Sequence, residues 1–124
     1  PDSRPGAGPR RVTVAVISRD LMIATRIADA GHRAGVAVQR FDDPSQLPAA
    51  SAVSLVLVDW DERHPDWGER LSAWCLSAPE SARPRIILFG PHTDLAAHAE
   101  ARAAGLGPMW ARSKLLADLP TLFR

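Results

Sequence analysis

The sequence predicts an α/β domain built on a parallel sheet, and three observations carry that prediction. Short β-branched runs alternate with helical patterns along the chain. Two of those runs, Val12–Ile17 and Ser54–Val58, are apolar with little interruption, as strands covered on both faces tend to be. The links are short, so right-handed crossovers place helices on both sides of the sheet.

Each element has its own justification. Val12–Ile17 is the first strand. From Asp20 to about Arg33, Leu21, Ala24, Ile27, Ala28 and Ala30 keep roughly helical spacing, and Gly31 or Gly35 can end that helix. Val36–Phe41 alternates as a second strand, and Asp43–Ala50 suggests a short helix with Pro44 in its first turn. Ala52–Asp59 is the third and most buried strand. Pro65–Ser77 is a helix whose Trp67, Leu71 and Trp74 form one apolar face. Arg85–Phe89 is the fourth strand. Thr93 is expected to cap an alanine-rich helix, Asp94–Ala104, closed by Gly105. Pro108–Arg112 is a short fifth strand, and Ser113–Arg124 a last helix that Pro120 should split. Residues 1–10, rich in Pro and Gly, read as a disordered tail or linker before a single domain over residues 11–124.

Composition narrows the function. With 15 basic and 14 acidic residues and no Lys/Arg stripe, direct nucleic-acid binding is not expected. No apolar stretch approaches membrane-spanning length, and no signal-peptide pattern opens the chain. The single cysteine, Cys75, excludes an internal disulfide and fits a reducing cytoplasm. The absence of Gly-x-Gly-x-x-Gly and of a P-loop argues against nucleotide-binding enzymes.

The residue that draws attention is Asp59, which closes the third strand where open α/β sheets place their chemistry. The loop after the first strand reads Ser18-Arg19-Asp20, and the loop after the fourth reads Gly90-Pro91-His92. In the order and lengths of its units, in Val56–Asp61, and in Ala104-Gly105-Leu106 before a short strand and a basic residue, the chain resembles the receiver domain of bacterial response regulators. That resemblance spans about Arg11 to Arg124 and implies a flavodoxin-like, doubly wound five-stranded sheet of order 2-1-3-4-5.

It also implies a site in which the third-strand aspartate accepts a phosphoryl group. An acidic pair after the first strand would hold Mg²⁺, a hydroxyl after the fourth would bond the phosphoryl oxygen, and a lysine after the fifth would pair with its charge. Asp59 falls on the acceptor. Ser18 and Arg19 fall on the acidic pair, with Asp20 one place later in a helix-capping position. Gly90 falls on the hydroxyl, and Arg112 on the lysine unless a shifted register brings Lys114 there.

A buried carboxylate without a divalent ion needs another compensation, and a guanidinium supplies one permanently. Arg19, Arg112 or both are therefore expected to pair with Asp59; a solvated Asp59 at the loop mouth is the alternative. The expected function is a non-catalytic, phosphorylation-independent pseudo-receiver that works through protein–protein contact, without metal or cofactor. Its rivals are an altered receiver still phosphorylated on Asp59, with Asp20, Asp61 or Glu62 helping to hold the metal, and an anion sensor using Arg19 and Arg112. The resemblance also implies a partner or self-association face formed by the fourth helix, fifth strand and fifth helix, here Leu95, Met109, Trp110, Leu116 and Phe123. Trp60 is expected at the rim of the site, Trp67 and Trp74 in or near the core, and His32, His64, His92 and His98 on the surface.

Overall fold

The computed structural model describes residues 13–124, so the tail assigned to residues 1–10, and Val12 of the first strand, lie outside the described residues. The chain runs β1 Thr13–Ile17, α1 Leu21–Ala34, β2 Ala37–Phe41, β3 Leu55–Asp59, α2 Trp67–Leu76, β4 Arg85–Phe89, α3 Leu95–Ala103, β5 Met109–Trp110 and α4 Arg112–Leu122. The strands are parallel and lie in the order β2-β1-β3-β4-β5. This is the predicted doubly wound, flavodoxin-like sheet. Its order reverses between β1 and β3, which puts the C-terminal end of β3 at the switch point.

Strand residues point alternately to opposite faces, and each face has its own core. Val14, Val16, Leu55, Leu57, Ile87 and Phe89 pack against α1 and α4. Ala15, Ile17, Val56, Val58, Ile86 and Leu88 join the core beneath α2 and α3. Every residue of β3 is buried, because helices cover both sides.

Local chemistry explains the helix ends. Asp20 caps α1, its Oδ1 accepting from the N–H groups of Met22 (3.0 Å) and Ile23 (3.3 Å). Gly35, at φ 72°, ends that helix, whereas Gly31 lies within it. A Cβ on Gly31 would collide with the Val38 side chain, so glycine there lets α1 approach β2 closely.

Three expected elements differ. The helix over 43–50 is replaced by two 3₁₀ turns, Pro44–Gln46 and Ala50–Ala52. Leu47 precedes Pro48, which drives it out of the helical region to φ −65°, ψ 143°. Asp94 rather than Thr93 caps α3, accepting from Ala96 (2.9 Å) and Ala97 (3.2 Å) in the phase that turns Ala97 and Ala101 inward. Pro120 does not split α4, which starts one residue earlier than expected, at Arg112. The proline stands near the C-terminal end, where little ladder remains to lose. The Phe123 N–H still bonds the Leu119 carbonyl at 3.0 Å, and Leu115, Leu119 and Phe123 share one buried face.

Candidate functional site

The alternation of β3 aims Asp59. It follows Leu55 and Leu57, so its side chain goes to the α1–α4 side, where Arg112 opens α4. Asp59 is 0% exposed. Nη2 of Arg112 donates to both of its carboxylate oxygens, at 3.0 and 2.9 Å, and Ser18 Oγ donates to Oδ2 at 2.9 Å. The guanidinium also lies over the Phe89 ring, 5.4 Å from its centroid. Arg112 further reaches Asp61 (3.4 Å) and Asp20 (3.5 Å), so three carboxylates surround one cation. Partial burial pulls the Arg112 guanidinium down, but the charge and hydrogen bond of Asp59, with Asp61 adding, outweigh it and push it up. Lys114 is elsewhere: it bonds Asp118 at 2.9 Å and sits 4.5 Å from the Trp110 ring centroid.

Gly90 does more than lack a hydroxyl. Its backbone sits at φ 119°, and a Cβ there would stand 2.5 Å from Asp61 Oδ2. The space of a side chain after β4 is thus taken by the Asp61 carboxylate, which meets Arg112 at Nη2 while Asp20 meets it at Nη1.

Arg19 is not brought to Asp59. Among the described residues its guanidinium makes no ion pair, while its backbone N–H donates to Glu62 Oε1 (2.9 Å) and Oε2 (3.0 Å). Ser18 faces the pocket, so its neighbour turns outward. Glu62 fastens the β1–α1 loop, a role that nothing in the residue pattern marks. Burial pushes the Glu62 carboxyl above its ordinary range; the Arg19 N–H opposes this, and the charge of Asp59 adds to it.

Trp60 is a correction. It is buried, not at the rim, and its Nε1 donates to the Ala97 carbonyl at 3.2 Å. As the residue after Asp59 it falls to the opposite face, into the α2–α3 core. Trp67 is buried and Trp74 half-buried. Of the residues placed on an interaction face, Phe123 belongs to the core. Met109, Trp110 and Leu116 are half-buried against the two cores, and Leu95 is 83% exposed.

The receiver resemblance implies Mg²⁺ at these carboxylates, and the side chains present do not fit it. Ser18 and Arg19 bring no carboxylate after β1. Both Asp59 oxygens already meet the fixed charge of Arg112, which repels a second cation from the same atoms. Among the described residues, no group of three or more His, Cys, Asp or Glu side chains is arranged to hold a metal ion. No helix among them is long and apolar enough to cross a membrane.

Neither a protein-family model nor a curated protein matches the chain. Solved structures do match in fold. Response regulator RPA3017, in red light signaling of R. palustris, superposes with a TM-score of 0.61 at 14% identity, over 91% of this chain and 92% of that one. A response regulator receiver protein from Pseudoalteromonas atlantica gives 0.63 at 11% identity, over 90% and 96%. FixJ-N gives 0.60 at 15%, over 93% and 94%. The fold is that of these receiver domains.

Proposed function

We propose that this domain is a pseudo-receiver: a non-catalytic signalling module that acts through protein–protein contact in a bacterial, cytoplasmic two-component-like pathway, without a phosphorylation cycle. One observation carries the reading. The residue at the acceptor position is closed by its own neighbours, with Arg112 on both carboxylate oxygens and Ser18 on one. Phosphoryl transfer needs an in-line approach to a free carboxylate oxygen and a cation shared with the incoming group. Here the cation is a side chain spent on the carboxylate itself. Asp61 occupies the space beside Gly90 where the receiver pattern places a hydroxyl. The face made by α3, β5 and α4, with Leu95, Met109, Trp110 and Leu116, is a candidate contact surface for a partner.

A second reading has one observation in its favour. Asp20, Asp61 and Glu62 stand around Asp59, and carboxylates so placed would suit a phosphorylatable receiver if Arg112 swung away. The anion-sensor reading finds no such support, since Arg19 points elsewhere and Arg112 is already met by three carboxylates. Tryptophan fluorescence during titration with Mg²⁺ and then beryllofluoride separates the first two. Trp110 packs against the core on the Asp59 side, two residues before Arg112, and the Trp60 backbone continues directly from Asp59, so tryptophan emission reports movement there. No saturable change up to millimolar Mg²⁺ is expected. A saturable change that disappears in Asp59→Asn would establish the phosphorylatable receiver instead.

A further inference from the structure

A groove of about 530 Å³ runs between α2 and α3, on the side of the sheet away from Asp59's pocket. Its walls are small: Gly68, Ser72, Ala73, Ala103 and Ala104, with the edge of Trp60 beneath. At Gly68 the helices nearly touch, since a Cβ there would lie 2.9 Å from Ala104 Cβ; beyond that point, small side chains leave the space unfilled. Leu76, 59% exposed, stands on one lip. Two carboxylates border the groove. Glu100 is held by Arg63 at 2.9 Å, whereas Glu69 has no ion-pair partner among the described residues. The groove is therefore apolar with one uncompensated negative charge.

The complement is on the same chain. At the start of α1, Leu21 is 62% and Met22 80% exposed, two adjacent apolar side chains that nothing in the described residues covers. Arg26 lies one helical turn beyond Met22 on the same side, exposed and without an ion-pair partner among the described residues. An unbranched thioether suits an irregular groove, and a cation one turn away suits Glu69. Exposed apolar surface of this kind marks contact sites.

We propose that the chain associates head to tail with a second copy of itself, the Leu21–Met22 tip of one α1 seating in the α2–α3 groove of the next, with Arg26 against Glu69. A two-fold contact of either patch with itself would bring like charges together, Arg26 on Arg26 or Glu69 on Glu69. The two patches also lie on opposite faces of the sheet. The contact is thus heterologous, and such contacts extend into open chains unless the rotation closes. This goes beyond the pseudo-receiver reading and does not depend on whether Asp59 accepts phosphate.

Sedimentation of the full 124-residue chain from micromolar to millimolar concentration tests it. The average mass should rise with concentration past that of a dimer. Met22→Glu and Ala73→Arg, both at exposed positions, should each remain monomeric. Mixed, they should form a one-to-one dimer that grows no further, because each retains the half the other has lost. A wild-type chain that stays monomeric, a plateau at dimer, a mixture that stays monomeric, or association abolished by Leu95→Glu but not Met22→Glu would each overturn the proposal. None of these outcomes bears on the Mg²⁺ and beryllofluoride titration.

Discussion

Two arginines in this molecule do nearly the same thing in two different places. At the end of β3, Arg112 holds the Asp59 carboxylate and lies over Phe89. On the α2–α3 side, Arg63 holds Glu100 through two parallel hydrogen bonds of 2.9 Å and lies over Trp60. The local geometry is similar, but the surroundings are not. Asp59 has no exposed surface, while the Glu100 side chain is 46% exposed. Removing Arg63 leaves a carboxylate that water can solvate. Removing Arg112 leaves one that water reaches only through the vacated space. The comparison teaches that an ion pair is worth what its loss would leave behind, more than what its distances suggest.

The sharpest way to break the comparison is therefore Arg112→Ala. It should cost about 3 kcal/mol of unfolding free energy, the low end for breaking a buried pair because Arg112 is itself partly exposed. Asp59→Ala should cost only about 1 kcal/mol, since Arg112 keeps Asp61, Asp20 and water. Urea unfolding of the two variants measures the asymmetry; equal losses would show that the pair is not dominated by the buried carboxylate.

Next in size is Gly90→Ala. The positive φ of 119° and the displacement of Asp61 should together destabilise the domain by about 2 kcal/mol. Pairing it with Asp61→Ala should recover the steric part and leave the backbone part. Full additivity in that double variant would mean that Asp61 does not fill the space beside Gly90.

A smaller effect follows from Glu62. Its carboxyl is raised above the ordinary 4.5, so the unfolded chain loses this proton first as pH rises. The resulting penalty is absent below the ordinary carboxylate range, sets in through it, and is complete above the raised value. Glu62→Gln should thus be the more stable protein at neutral pH, and the advantage should close as pH falls through that range. Thermal melts of both proteins across pH would show it, and a difference independent of pH would refute the assignment.

The smallest effect is expected at the exposed pair. Glu100→Ala should change stability far less than Arg112→Ala, and the change should vanish in about 1 M salt, where screening reaches only some 3 Å. If its loss instead matched that of Arg112→Ala and resisted salt, exposure would not be what separates the two sites.

Much of this was legible in the residues. The β-branched runs, Asp20 as a cap and the uninterrupted burial of β3 all rest on local preferences that sequence records directly. The pairing of Asp59 with Arg112 was among the expected arrangements, because a buried carboxylate needs a cation and few were near it in the pattern. That Arg19 would turn outward was not legible; it depends on Ser18 taking the inward position at the end of β1. The loop-fastening role of Glu62 left no trace in the pattern, since its partner is a backbone N–H forty-three residues away. Trp60 could have been placed by carrying the alternation of β3 one residue further, into the opposite face.

By itself the sequence determined the class of fold, the order of its elements and the position of one carboxylate at the C-terminal end of a central strand. Those follow from periodicity, branching and capping, which act over a few residues. Only the tertiary structure decided which arginine closes the site, that Asp61 fills the space Gly90 leaves, and that α2 and α3 part into a groove. Those depend on residues remote in the chain meeting at fixed distances, and packing rather than propensity sets such distances.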